Sequence, residues 1–342
     1  MDDSLELNSE QKKKQNNLAL FDIGTTNKGP TLDYVTHHSH ITEEQLEGLN
    51  DDQREMVIKM NRYLRGELSM PFFLAQGGGG TGKSFTIVRA LANINVNNII
   101  AAAPSHFAKN VLQDFLGEQY TVTTVAALLG KKVSYDSNGK EILVRIRKDL
   151  EPPICNFQII IVDEGSMIDD DTANEIIDYV RAGNKALLIL GDYCQLPPVN
   201  QPSDSMFFED ISAELTIPMR FQGPIYEVTN LIRNEIIKIR NGLYPVLNIL
   251  NTATDRISKV DSETGSGYIF LNKMPSMLAA AVRRFKKGRG TNYVRILAYR
   301  NKTIEKLNNN IRVGLYGDNP IQFEHGELLI NNGGFSISSK KS

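Results

Sequence analysis

Pro71-Phe72-Phe73-Leu74-Ala75-Gln76-Gly77-Gly78-Gly79-Gly80-Thr81-Gly82-Lys83-Ser84 is the stretch that decides the fold. Its first five residues form a short apolar run that ends in glycines, which reads as a buried strand. A helical pattern follows at about 84–94. Between them, Gly77-x4-Gly82-Lys83-Ser84 matches the Walker A pattern. Gly77, Gly78, Gly79, Gly80 and Gly82, with Thr81 among them, let the backbone wrap a phosphate with N–H groups turned inward. The helix that begins near Lys83 adds its positive dipole end. In that arrangement Lys83 reaches the β- and γ-phosphates of ATP and Ser84 ligates Mg2+. A strand before and a helix after argue against a plain flexible glycine turn.

Working outward, the same alternation continues. Asn98–Ala102, Phe157–Val162 and Ala186–Leu190 are further apolar strand candidates, and helical stretches lie at about 106–116 and 171–182. Fully apolar strands alternating with helices imply a parallel sheet covered on both faces, an α/β class. Upstream, Asn50-Asp51-Asp52-Gln53 is a capping-box start with Asn50 as N-cap and Gln53 at N3, and the helix runs to about Leu64. One segment breaks the rhythm. Lys131–Arg147 alternates around Asp136-Ser137-Asn138-Gly139, which predicts an inserted β-hairpin. After Arg220 a helix is expected near 225–241, then weaker strands at Tyr268–Leu271 and Val294–Tyr299.

The resulting domain expectation is a tail over 1–41, a first α/β domain over 42–215 with the hairpin subdomain at 131–153, and a second, partial one over 216–342. The tail is rich in polar residues and carries Lys12-Lys13-Lys14. Its His37-His38-Ser39-His40 cluster can bind metal, but no Cys or carboxylate pattern surrounds it, which favours a polar tail. A chain of 342 residues with net charge −2 has no global basic field to argue for nucleic acid, so any such surface is a local patch. Cys155 and Cys194 are the two cysteines, which fits a reducing, cytoplasmic compartment. No apolar run is long enough to span a bilayer, and no apolar signal core follows Met1, so no membrane partner is expected.

Two further blocks carry chemistry. Ile159-Ile160-Ile161-Val162-Asp163-Glu164 ends an apolar strand in carboxylates about eighty residues after Lys83. As a Walker B element, Asp163 would hold Mg2+ and Glu164 would polarise the attacking water. Leu188-Ile189-Leu190-Gly191-Asp192-Tyr193-Cys194-Gln195-Leu196-Pro197-Pro198-Val199 places Gln195 at the carboxyl edge of the sheet, where open α/β folds bind ligands. A plain strand-to-loop turn fits that spacing equally.

Taken together, these blocks resemble helicase superfamily 1, in the 5′-to-3′ branch that includes RecD and Dda. Gly191-Asp-x-x-Gln195-Leu-Pro-Pro is typical of that branch, and Asp163-Glu164-Gly165-Ser166 matches its motif II. Ala102-Ala103-Pro104-Ser105-His106-Phe107-Ala108-Lys109 resembles motif Ia, Thr124-Val-Ala-Ala-Leu-Leu-Gly130 motif Ib, and Leu215-Thr216-Ile217-Pro218-Met219-Arg220 motif IV. Ile296-Leu-Ala-Tyr-Arg-Asn301-Lys302 matches the start of a second RecA-like domain, and the likeness spans roughly residues 45–334.

This resemblance implies a P-loop NTPase made of a RecA-like domain with an inserted β-hairpin, followed by a second, incomplete RecA-like domain. Gln53 would read adenine, beside its capping role. Gln195 would sense the γ-phosphate, and Arg220 would contact it from across an interdomain cleft. Pro104, Ser105, His106, Thr124 and Asn301 would meet single-stranded DNA. The 131–147 hairpin sits where the family carries its duplex-splitting pin; a plain edge hairpin reads almost as well. Two departures stand out. Ala126 replaces the usual His of motif Ib, and the family's Thr-x-His-Lys-x-Gln-Gly and Ser-Arg blocks are absent before Ser342. The expected activity is ATP-dependent DNA unwinding in replication, repair or recombination. The expected partners are single-stranded DNA or forked duplex, a polypeptide that carries the missing motifs, and single-strand-binding or replisome proteins. The alternative is a nucleotide-dependent DNA-binding loader or regulatory module that does not unwind.

Overall fold

The computed structural model describes residues 40–327, apart from 136, 138–140, 148, 200, 202, 221–222, 241–257, 270, 272, 288–293, 299, 323 and 326. The expected tail up to residue 39, with His37 and His38, and the hairpin-turn residues Asp136, Asn138 and Gly139 lie outside the described residues. The chain divides into two compact units between residues 222 and 223.

The first unit opens with α1 (Glu43–Leu46) and α2 (Asp51–Leu64). The Asn50 side chain accepts from Gln53 N (2.9 Å), and the Gln53 side chain accepts from Asn50 N (3.3 Å), so the capping box is complete. The far end of α2 closes through Gly66 in the left-handed region (φ 71°). There Gly66 N–H donates to Tyr63 O and Glu67 N–H donates to Arg62 O, both at 2.9 Å. Met56, Val57, Met60, Tyr63 and Leu64 recur at helical spacing and are fully buried. At about 1.5–3 kcal/mol for each large apolar side chain buried, that stripe seats α2 on the sheet.

The sheet is built from β1 (Phe73–Gly77), β2 (Ile99–Ala103), β3 (Thr121–Thr124), β6 (Ile159–Val162), β7 (Ala186–Gly191) and β8 (Ala213–Leu215). Its order is β3-β2-β6-β7-β1-β8 and every pairing is parallel. The intervening helices are α3 (Lys83–Leu91), α4 (His106–Leu116), α5 (Val125–Leu128) and α6 (Asp170–Ala182). Strand residues alternate between two cores. Phe73, Ala75, Ile99, Ala101, Ile159, Ile161, Leu188 and Leu190 pack with α2, α3 and α4. Leu74, Ile100, Ile160, Val162, Leu187 and Ile189 pack with α5, α6 and Phe207. Because all six strands run the same way, Gly77 and Thr124, which end their strands, and Pro104, Asp163, Asp192 and Thr216, which follow theirs, lie on one edge of the sheet.

The predicted hairpin is present as β4 (Lys131–Tyr135) and β5 (Glu141–Arg145), antiparallel with Lys131 opposite Arg145. Its base is tied to α6 twice. Lys131 pairs with Glu175, and Arg145 Nη1 donates to Tyr179 Oη (3.1 Å). Glu175 and Tyr179 lie one helical turn apart, so they share a face of α6.

The second unit holds α7 (Pro224–Arg240), the antiparallel pair β9 (Ser258–Val260) and β10 (Gly267–Ile269), then α8 (Met274–Lys286) and α9 (Asn301–Tyr316). The β9–β10 turn is held by Asp261 Oδ1, which accepts from the N–H groups of Glu263 (2.9 Å) and Thr264 (2.8 Å). α8 and α9 approach closely at Gly314, where a Cβ would stand 2.7 Å from Val282 Cγ2. Residues 294–298 form no strand, a correction to the strand expected at Val294–Tyr299; Tyr299 lies outside the described residues. Among the described residues no helix is long and apolar enough to cross a membrane.

Candidate functional site

β1 ends at Gly77 between β7 and β8, with Gln76 opposite Gly191 and Gly77 opposite Leu215. The loop that follows enters α3 through Gly82, the N-cap, which sits in the left-handed region (φ 95°) and offers no side-chain cap. Only glycine takes that conformation without strain. A Cβ there would also stand 2.5 Å from Gln53 Nε2.

The carbonyls of Gly77, Gly78, Gly80, Thr81 and Gly82 are committed to protein donors. Lys83 Nζ donates to Gly77 O (2.6 Å) and Gly78 O (3.3 Å), and Thr81 Oγ1 donates to Gly78 O (2.9 Å). Met219 N–H donates to Gly80 O (2.8 Å), Gln53 Nε2 to Thr81 O (3.0 Å), and Thr86 N–H to Gly82 O (2.9 Å). With the carbonyls engaged and the α3 N-terminus uncapped, the loop's amides and the helix dipole suit an anion. Ser84 lies half-buried in the first turn of α3.

Asp163 and Glu164 follow β6. Asp163 Oδ1 accepts from Glu164 N–H (2.9 Å), and Asp163 N–H donates to Ala102 O (2.8 Å). Burial pushes the Asp163 carboxyl up, opposed by the Glu164 N–H and the Lys83 charge. Glu164 is likewise pushed up by burial and by the charge of Asp163, eased by Lys83, with Asp192 adding a smaller push upward. Lys83 opens the helix after β1, Asp163 and Glu164 follow β6, and Asp192 follows β7, so the parallel register brings all four to one edge of the sheet. Glu164 has a positive φ of 53°, an uncommon conformation for a residue with a side chain, and its Oε2 is buried without a hydrogen-bond partner. A strained, desolvated carboxylate beside a second one and a lysine fits a cation-phosphate site. Among the described residues no group of three or more His, Cys, Asp or Glu gathers to hold a metal ion.

Gln53 is almost fully buried, and both heteroatoms of its carboxamide are engaged, Oε1 by Asn50 and Nε2 by Thr81. Its second N–H and second lone pair remain for other partners. Gln195 is half-buried in the loop after β7, its N–H donating to Asp192 O (2.9 Å). Arg220 is exposed and falls within the first unit; the residue before it, Met219, is the one bonded to the glycine loop.

Ser105 and Thr124 prove to be helix N-caps. Ser105 Oγ accepts from Ala108 N–H (3.1 Å) at α4, and Thr124 Oγ1 from Ala127 N–H (3.2 Å) at α5. Each hydroxyl keeps its own O–H as a donor. His106 is exposed and Pro104 half-buried beside them. Asn301 is the first residue of α9, in the second unit.

The sequence reading missed Gln76, which is fully buried; its Oε1 accepts from Tyr193 N–H (3.2 Å), and its Nε2 is buried without a partner. It thereby joins the phosphate-loop strand to the loop that carries Gln195. A polar residue inside an otherwise apolar strand run was the available signal.

A parallel sheet with an uncapped, glycine-entered helix after its first strand, and a carboxylate pair at the same edge after β6, one strand removed, defines a P-loop nucleotide-binding protein. Residues 48–243 match the AAA domain family, more than half of the chain, and the chain belongs to that family, whose members use nucleotides. It is similar to the ATP-dependent DNA helicase dda of Enterobacteria phage T4, 24% identical over 265 residues, which cover 74% of this chain and 54% of that protein. This chain thus spans about half the length of that relative. Among solved structures, Bacteroides sp Pif1 in complex with ADP-AlF4 matches with TM-score 0.42 and 20% identity over 61% of this chain and 50% of that one. Pif1 helicase from Candida albicans matches with TM-score 0.39 and 18% identity, covering 73% of this chain and 55% of that one.

Proposed function

We propose that this chain is the ATP-hydrolysing motor portion of a superfamily 1 DNA helicase that moves 5′-to-3′ on single-stranded DNA. The observation that carries the reading is the uncapped, glycine-entered start of α3, set on the sheet edge where Asp163 and Glu164 follow β6 and Asp192 follows β7. The similarity to the phage helicase over 74% of the chain supports the choice of DNA unwinding over other P-loop chemistry.

Bound Mg-ATP supplies the phosphoanhydride to be cleaved and a cation that neutralises charge on its oxygens. Lys83 exchanges its hold on Gly77 O and Gly78 O for phosphate oxygens. Ser84 and Asp163 would hold the cation. Glu164, its carboxyl raised by burial and neighbouring charge, orients the attacking water and takes its proton. Gln195 sits on a loop fixed to β1 through Gln76, which suits it to report γ-phosphate occupancy to the nucleic-acid edge. Arg220 adds a fixed positive charge for the developing anion. Pro104, Ser105, His106 and Thr124 form that nucleic-acid edge, and the β4–β5 hairpin serves as the strand-separating element.

ATP hydrolysis measured with and without single-stranded DNA, with Lys83→Ala as control, tests this. DNA-stimulated hydrolysis that disappears in Lys83→Ala is expected. Absence of stimulation, both for the chain alone and with a polypeptide carrying the remaining helicase motifs, overturns the helicase reading. Slow turnover with tight ATP-dependent DNA binding would select a loader or regulatory module instead.

A further inference from the structure

The two carbonyls at the crown of the glycine loop, Gly80 O and Thr81 O, are held by chain segments remote in sequence. Gln53 comes from the first turn of α2 and Met219 from the segment after β8. These two segments are also fastened to each other. Asp52 Oδ2 accepts from both Thr216 N–H (2.8 Å) and Thr216 Oγ1 (2.6 Å). Beside that contact, Asn50 Nδ2 lies 3.2 Å from Met219 Sδ. An acid in the first turn of a helix is ordinarily accounted for by the helix dipole. Asp52 does more, because one of its oxygens is spent on two donors from a single distant residue. Those bonds also hold its carboxyl below the usual carboxylate range, with the Thr216 hydroxyl the larger influence. Beyond Leu215, where pairing with β1 ends, the chain is thus pinned at Thr216 by Asp52 and at Met219 by Gly80, and Arg220 follows directly.

We propose that Asp52 is a positioning residue of the nucleotide site: by gripping Thr216 it seats the Thr216–Met219 segment on the glycine loop, fixing the Gly80 carbonyl and the backbone from which Arg220 extends. Asp52 touches no phosphate itself. Its effect passes through Thr216 and Met219, so it acts on nucleotide affinity by way of Gly80 and on turnover by way of Arg220. This inference rests on reading 77–84 as the nucleotide site and Arg220 as a phosphate contact.

The test uses the full chain with Asp52→Ala, Asp52→Asn, Thr216→Val and Lys83→Ala. It reads the affinity for a fluorescent ATP analogue, the single-turnover hydrolysis rate and the nucleotide-free thermal midpoint. Asp52→Ala is expected to weaken analogue binding about fivefold, the worth of one hydrogen-bonded tether, and to slow hydrolysis further at saturating ATP. Asp52→Asn retains an acceptor for Thr216 and should recover both to within about twofold. Thr216→Val should reproduce part of the Asp52→Ala defect and add nothing on top of it, because the two share one contact. If Asp52→Ala does not fold, the Thr216→Val and Asp52→Asn measurements decide alone. Unchanged affinity and rate with a lowered thermal midpoint, or equal defects in Asp52→Asn and Asp52→Ala, overturn the proposal. The function reading fails separately, if Lys83→Ala binds and hydrolyses as the unaltered chain does.

Discussion

Gln53 offers a perturbation whose two arms can be separated. Its side chain does two jobs: Oε1 closes the capping box on Asn50 N, and Nε2 braces Thr81 O on the phosphate loop. Gln53→Ala removes both. Thr81 is buried, so its carbonyl loses a partner that solvent replaces poorly. At about 1 kcal/mol for each net hydrogen bond, the substitution should destabilise the first unit by roughly 2 kcal/mol. For a unit of this size that lowers the thermal midpoint by about 4–8 °C. The Thr81 brace accounts for about half, and its loss should weaken nucleotide binding about fivefold. Since a brace acts on the phosphate loop and not on the base, ATP and GTP should suffer equally. Gln53→Glu separates the arms: a carboxylate can still close the capping box, but it sets negative charge against the Thr81 carbonyl. Its thermal midpoint should stay nearer the unaltered protein than that of Gln53→Ala, while nucleotide binding falls at least as far. Michaelis constants for ATP and GTP hydrolysis, with thermal midpoints alongside, are the assay. A Gln53→Ala variant that raises the constant for ATP and leaves GTP untouched would falsify the bracing account and make Gln53 a reader of adenine.

Further outcomes follow from the same geometry. Gly82→Ala forces a side chain into a left-handed position and toward Gln53 Nε2; a backbone penalty of about 1–2 kcal/mol should weaken nucleotide binding about five- to thirtyfold, measured by titration with an ATP analogue. Asp163→Asn and Glu164→Gln should stabilise the nucleotide-free protein at pH 7 by about 0.5–2 kcal/mol while abolishing hydrolysis. Their folded-state carboxyls titrate above the ordinary values of 3.8 and 4.5, so what they contribute to stability is complete below those values and lost as pH rises through the folded-state pKa. The advantage of the amides should therefore shrink as pH falls from about 7 toward about 4, in thermal melts across that range. Tyr179→Phe together with Glu175→Ala should leave the phosphate loop unchanged and speed hydrogen exchange in β4 and β5 by about fivefold or more; unchanged exchange would mean that the hairpin is held from elsewhere.

The sheet was legible where its strands are long and apolar. The runs at 73–75, 99–102, 159–162 and 186–190 are buried on both faces, and continuous burial writes continuous hydrophobicity into the sequence. β3 and β8 were not foreseen. Thr121–Thr124 is a half-exposed edge strand of threonines and valine, and Ala213–Leu215 spans three residues, too short for any period to show. The stretch from Val294 reads as a strand by composition, yet residues 294–298 form none; among the described residues they have no pairing neighbour, and β propensity alone does not make a strand. The glycine loop and the carboxylates of 163–164 were legible because their chemistry needs particular residue types at fixed spacing. The braces were not: Met219 holds Gly80 through its backbone, which any residue could do, and Asp52 meets Thr216 across 164 positions of chain.

The pair of ties from Lys131 and Arg145 to Glu175 and Tyr179 has a mechanical consequence. α6 starts just beyond Asp163 and Glu164 and ends just before β7, which leads to Gln195, so it spans the two loops nearest the phosphates. Two ties a turn apart couple the base of the hairpin to this helix. Each strand of five residues makes an arm of about 17 Å, so a tilt of about 10° in α6 carries the far end through about 3 Å. On the function proposed above, a shift of that size is close to the spacing between successive bases of a stacked strand.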